Sequence, residues 1–82
     1  MLQIKVLGSG CANCQKLERE TRTALDNATI EYELTKVTDY ADIASYGVMR
    51  TPALVINEEV VSIGKIPKQD KIVDLARKHE ST

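Results

Sequence analysis

Cys11-Ala12-Asn13-Cys14 sets two thiols one helical turn apart, a spacing at which the sulfurs can close a disulfide and reopen it without moving the backbone. The pair stands between a segment of alternating polarity and an amphipathic one, so Cys11 is read at the start of a helix. Four backbone N–H groups there lack intrahelical partners, and the macrodipole adds about half a positive charge. Both favour a thiolate at Cys11, which sets its pKa below the free-thiol value of roughly 8.5. The two sulfurs then divide the work. Cys11, at the exposed tip, attacks a disulfide, and Cys14, on the apolar stripe, resolves the mixed disulfide from within.

Other uses of the pair fit less well. As a structural staple it closes a loop too short to remove much chain entropy from the unfolded state. Two inert buried thiols would suit Cys14 but not Cys11, which follows the glycines Gly8 and Gly10. A zinc site wants four ligands, and the chain offers two thiols and His79 at its far end, so a monomer cannot complete a tetrahedral site. Metal shared by a dimer and Cu(I) held by two thiolates stay open.

The elements that must position the pair follow from hydrophobic spacing. Leu2, Ile4 and Val6 alternate with Gln3, Lys5 and Leu7, the period of a strand over residues 2–7, and Gly8-Ser9-Gly10 breaks it. From Asn13, Cys14, Leu17, Thr21, Ala24, Leu25 and Ala28 recur at three- and four-residue steps, with Gln15, Lys16, Glu18, Arg19, Glu20 and Arg22 on the wet face. That helix should end at Asp26-Asn27. Ile30 to Thr35 alternates again, with Ile30, Tyr32 and Leu34 inward, and closes a right-handed parallel strand-helix-strand unit.

Thr38 or Asp39 caps a short second helix with Ile43 and Ala44 inward, stopped at Tyr46-Gly47. Thr51-Pro52 opens a strand over Ala53 to Ile56, and Asn57-Glu58-Glu59 turns it into Val60 to Ile63 as a hairpin. Pro67 suits the first position of a last helix whose inner stripe is Ile72, Leu75, Ala76 and His79. Lys5, Glu58-Glu59 and the stretch from Lys68 to Lys71 read as solvated. The expected fold class is α/β, β-α-β-α-β-β-α, with a four-stranded mixed sheet, the first strand central and helices on both faces.

Size and charge limit the rest. Eighty-two residues form one domain, residues 1–82, burying roughly 60 to 65% of the unfolded surface, which leaves no room for a cleft between domains. With three Tyr and no Trp or Phe, the core is aliphatic. Eleven basic and twelve acidic residues, scattered in sign, make no basic stripe, so nucleic acid is excluded as a partner. The apolar run Ala53-Leu54-Val55-Ile56 is far shorter than the roughly 20 residues of a membrane span, and no secretory leader is visible. A cytoplasmic protein is expected, where a cysteine pair is catalytic or metal-binding rather than structural.

Gly10-Cys11-Ala12-Asn13-Cys14 after an opening strand, the run from Tyr46 through Thr51-Pro52 to Asn57, and the later Gly64 together resemble the thioredoxin superfamily. In particular the chain resembles the small prokaryotic thioredoxin-like, glutaredoxin-sized redox-active disulfide proteins. The resemblance spans nearly the whole chain and implies a thioredoxin-like fold. It also implies a cis bond before Pro52 and substrate docking by Thr51 and Pro52 beside the pair, with Ala12, Asn13 and Gly64 at the same surface. The expectation is a thiol-disulfide oxidoreductase acting on protein disulfides, with catalytic Cys11 and Cys14 and no bound cofactor or metal. It would be a monomer recharged by a dithiol-reducing partner such as a thioredoxin-reductase-like enzyme. The alternative is a copper-binding carrier using the same pair. Ser9, where copper chaperones carry Met, and the helix between the second and third strands both speak against it.

Overall fold

A computed structural model describes residues 1–80. The elements run β1 (Leu2–Leu7), α1 (Ala12–Asn27), β2 (Tyr32–Val37), α2 (Tyr40–Ser45), β3 (Ala53–Ile56), β4 (Glu59–Ile63) and α3 (Gln69–Glu80). The sheet order is β2-β1-β3-β4, with β1 parallel to β2 and antiparallel to β3, and β3 antiparallel to β4. This is the mixed α/β sheet expected from the spacing, with β1 interior.

Strand alternation assigns the core to two sides of that sheet. Leu2, Ile4 and Val6 of β1 and Leu54 and Ile56 of β3 pack with Leu17, Ala24 and Leu25 of α1 and Ile72 and Ala76 of α3. The opposite positions, Leu7, Ala53 and Val55, pack with Ile43 of α2 and Val48. Period-2 geometry sends neighbouring residues to opposite faces, so all four residues of β3 are buried because both faces are covered.

Four local expectations shift. β2 begins at Tyr32, not Ile30, because residues 28–31 reverse the chain. Thr29 adopts a left-handed φ of 57°, Ile30 N–H bonds back to Leu25 C=O at 3.0 Å, and Leu2 N–H reaches Glu31 C=O at 3.2 Å. Ile30 is still buried, as the last residue under α1. Ala44 is exposed; a helix of only six residues buries one position, Ile43. The last helix starts at Gln69, two residues after Pro67, since Lys68 C=O accepts from Ile72 N–H at 2.9 Å and so closes the first turn. In the β3–β4 turn, Asn57 and Glu58 have φ of 50° and 69°. That two-residue loop of left-handed residues matches the twist of a hairpin without glycine.

Lys5 and the acidic turn are bound rather than free. Lys5 Nζ donates to Tyr46 Oη at 2.8 Å and to the Glu58 carboxylate, and Tyr46 Oη donates to Glu58 at 3.1 Å. The hydrogen bond from Lys5, then that from Tyr46, holds the Glu58 carboxyl below its usual value. Asn57 adds a second clamp: its Oδ1 accepts from Gln3 N–H at 3.0 Å and its N–H reaches Gln3 C=O at 2.8 Å. Glu59, the first residue of β4, pairs with His79 Nε2 at 3.0 Å. Among the described residues, no helix is long and apolar enough to cross a membrane.

Candidate redox site

β1 ends at Leu7 and α1 begins at Ala12, so the cysteines fall where a strand hands the chain to a helix N-terminus. Cys11 is the N-cap residue, with φ −66° and ψ 164°, and its Sγ accepts the backbone N–H of Cys14 at 3.1 Å. A sulfur here does what Ser or Asp does at other helix starts: it meets an N–H that no turn of the helix can satisfy. The first turn of α1 carries no acidic residue, so no side chain of that turn opposes negative charge on that sulfur.

Cys11 is exposed and Cys14 is 5% exposed. They form a disulfide with Cα atoms 5.0 Å apart. The asymmetry of access is the chemical point: Cys11 is open to solvent, while the Cys14 sulfur packs against Gly8 just past the end of β1.

Gly8 makes that burial possible. A Cβ built on Gly8 would overlap Cys14 Sγ and lie 3.1 Å from Cys14 Cβ and 3.7 Å from Thr51 Cβ. Gly8, Cys14 and Thr51 therefore meet at one point, which brings the loop before β3 to the cysteine pair. The Thr51–Pro52 bond is cis. Pro52 is buried, and its C=O accepts from Gly64 N–H at 2.8 Å, which fastens the far end of β4 beside the proline. Gly64 has φ of 72°, and a Cβ there would lie 3.4 Å from Cβ and Cδ of Arg50. The stem of Arg50 thus covers Gly64, and Met49 beside it is 94% exposed.

Among the residues singled out from sequence, Ala12 and Asn13 are exposed on the first turn of α1 between the cysteines. Thr51 meets the pair through Gly8, and Pro52 and Gly64 are tied to each other on the same side. The packing role of Gly8 depends on where Cys14 folds back and has no local signal. Glu18, placed on the wet face, is only 19% exposed at its side chain and pairs with Arg22 at 3.2 Å and Lys36 at 3.7 Å. It lines, with Gly8, Cys14, Gln15, Lys36 and Thr38, a cleft of about 80 Å³. A larger hollow of about 420 Å³ lies at the opposite end of β1, around Met1, Thr29, Asn57 and His79.

Residues 2–77 match the thioredoxin-domain family. The thioredoxin of Methanothermobacter thermautotrophicus is 32% identical over 72 residues, spanning 88% of this chain and 94% of its own. That of Methanocaldococcus jannaschii is 33% identical over 72 residues, spanning 88% and 83%. A crystal structure of glutaredoxin 1 from Francisella tularensis, complexed with cacodylate, aligns over 100% of both chains at 17% identity and a TM-score of 0.45.

Proposed function

Since the chain belongs to the thioredoxin family as a redox thiol protein, we propose that it is a thiol-disulfide oxidoreductase acting on protein disulfides through Cys11 and Cys14. The observation that carries this reading is that Cys11 is exposed at the helix start, its sulfur accepting the Cys14 N–H and bonded to the sulfur of the buried Cys14. In the reduced chain the Cys11 thiolate attacks one sulfur of the partner's disulfide, forming a mixed disulfide and releasing the partner's other sulfur as a thiolate. Cys14, as thiolate, then attacks Cys11 Sγ, closes the internal disulfide and expels the partner's second sulfur. Two electrons pass to the partner, and its thiolates take up the two protons the dithiol gives up.

The partner docks on the exposed rim formed by Ala12, Asn13, Thr51 and Gly64, backed by the buried Pro52, with Thr51 supplying main-chain contacts to an extended segment. The unit is one domain, residues 1–82, working as a monomer. A dithiol-reducing partner restores Cys11 and Cys14 in a reducing compartment, here the cytoplasm, with no bound cofactor. The test is turnover: dithiothreitol-driven reduction of insulin by the wild-type chain, abolished by Cys11→Ser. Undiminished activity of that variant would sink the assignment.

A further inference from the structure

The surface around the cysteine pair is positively charged. Gly8, Cys14 and Thr51 meet at one point, and Gly64 N–H donates to Pro52 C=O at 2.8 Å, so residues 46–52 and 64–68 border the pair. The first of these loops holds Arg50, the second holds Lys65 and Lys68, and neither holds a carboxylate. On α1, Lys16 lies four residues after Ala12 and three after Asn13, hence on the same exposed face. The first turn of that helix has no acidic residue either.

Lys5, Arg22 and Lys36 are held in ion pairs, whereas Lys16, Arg50, Lys65 and Lys68 are exposed and in none among the described residues. Arg50 is the most closely placed. Its Cβ and Cδ lie 3.4 Å from a Cβ built on Gly64, so its stem rests on the rim itself. Carboxylates on the flanking elements already have partners. Glu18 pairs with Arg22 and Lys36, Glu20 accepts from Gln69 Nε2 at 2.7 Å, and Asp39 accepts the N–H groups of Ala41 and Asp42. Asp70, in the first turn of α3, lines a hollow together with Lys65, Lys68 and Lys71. The whole chain has a net charge of −1, so four unpaired cations at one end of the sheet are a local excess.

We propose that this rim selects partner disulfides flanked by acidic residues, with Arg50 as the main contact and Lys16, Lys65 and Lys68 adding to the field. This selectivity rests on the oxidoreductase reading above and names the class of protein disulfide on which Cys11 acts. Opposite charge raises the encounter rate and fixes the register of the docked segment, and basic flanks are repelled. Because the cations are exposed, salt screens the effect. One exposed pair near contact is worth about threefold in water. Steering by the cluster raises that to about tenfold.

The experiment oxidises the reduced chain with three disulfide peptides that differ only in their flanks, which are aspartate, asparagine or lysine. Second-order rates are read by acid quench and thiol alkylation at about 20 mM and about 0.5 M salt. Each rate is divided by that of the same peptide with dithiothreitol, which removes the peptide's own reactivity. Acidic flanks should react about tenfold faster than basic ones at low salt and less than about threefold faster at high salt. Arg50→Gln should lower the ratio of acidic to neutral rates about threefold, and Arg50→Lys should keep most of it. Arg77→Gln makes the same charge change in the last turn of α3 and should leave that ratio within about 1.5-fold. Equal normalised rates for the three peptides would overturn the selectivity while leaving the oxidoreductase reading intact. So would an acid preference that salt does not weaken, that Arg50→Gln leaves unchanged, or that Arg77→Gln lowers as much as Arg50→Gln. A wild-type chain that reduces none of the peptides would overturn the oxidoreductase reading, and this selectivity with it.

Discussion

Replacing Gly8 with alanine puts a methyl where the Cys14 sulfur lies. The added Cβ overlaps Sγ and sits 3.1 Å from Cys14 Cβ, so the sulfur or the backbone of β1 must give way. Overpacking of this kind costs about 1–3 kcal/mol. The cost should not fall equally on the two redox states. In the disulfide, Cys14 Sγ is tethered to Cys11, whose own position is fixed as the N-cap of α1. In the dithiol that tether is gone, and Sγ can swing about χ1 to another rotamer. If most of the cost lands on the oxidised form, the potential of the couple becomes less negative. At 30 mV for each 1.4 kcal/mol, the rise is roughly 20–65 mV. The assay is equilibration of wild type and Gly8→Ala against glutathione buffers, with the oxidised fraction read from the mass shift on thiol alkylation. Thermal melting of both redox forms shows where the cost falls. A potential within about 5 mV of wild type, or a reduced form that loses as much stability as the oxidised one, would refute the reasoning.

Three further outcomes follow from groups outside the pair. Thr21 is fully buried in α1 and its hydroxyl has no hydrogen-bond partner among the described residues, so Thr21→Val, which keeps the shape, should stabilise the chain by about 1 kcal/mol in denaturant unfolding. Asp39 caps α2 by accepting from Ala41 N–H at 2.8 Å and Asp42 N–H at 3.3 Å, and Asp39→Ala should cost about 1 kcal/mol, read as a lower melting midpoint. His79 faces oxygen acceptors with both ring nitrogens, Leu75 C=O at 2.9 Å and Glu59 at 3.0 Å; the Leu75 bond first, then Glu59, raises its pKa against the opposing effect of burial. A raised folded pKa means stability fully present below about 6.5 and lost as pH rises through the folded value. Unfolding free energy should therefore fall across that window in wild type and fall less in His79→Gln, and identical slopes would contradict the assignment.

What could be read from the residues alone was whatever depends on neighbours in sequence. Alternation in β1 and β3 and the three- and four-residue steps of α1 are local, and they placed Cys11 at a helix tip with Cys14 on the inner stripe. A cap at Thr38 or Asp39, which the structure assigns to Asp39, and the Tyr46-Gly47 stop were legible for the same reason. The bonds of Lys5 to Tyr46 and Glu58 span 41 and 53 residues, and no window along the chain contains both ends. Glu18 looked like any residue of a wet face because its partner Lys36 is on β2 and its cleft is bounded by Gly8 and Thr38. The start of β2 moved because the turn at Thr29 is set by closure onto Leu25 and β1, which outweighs the alternation that begins at Ile30.

The account stands on Cys11 being the attacking sulfur. The direct measurement mixes reduced Cys14→Ser and Cys11→Ser chains separately with the same disulfide peptide, and peptide mapping by mass spectrometry locates the adduct while its rate is followed. The Cys14→Ser chain should capture the peptide on Cys11, with a pH midpoint below roughly 8.5, and the Cys11→Ser chain should capture little or none. Capture on Cys14 at an equal or greater rate would contradict the division of roles on which everything else rests.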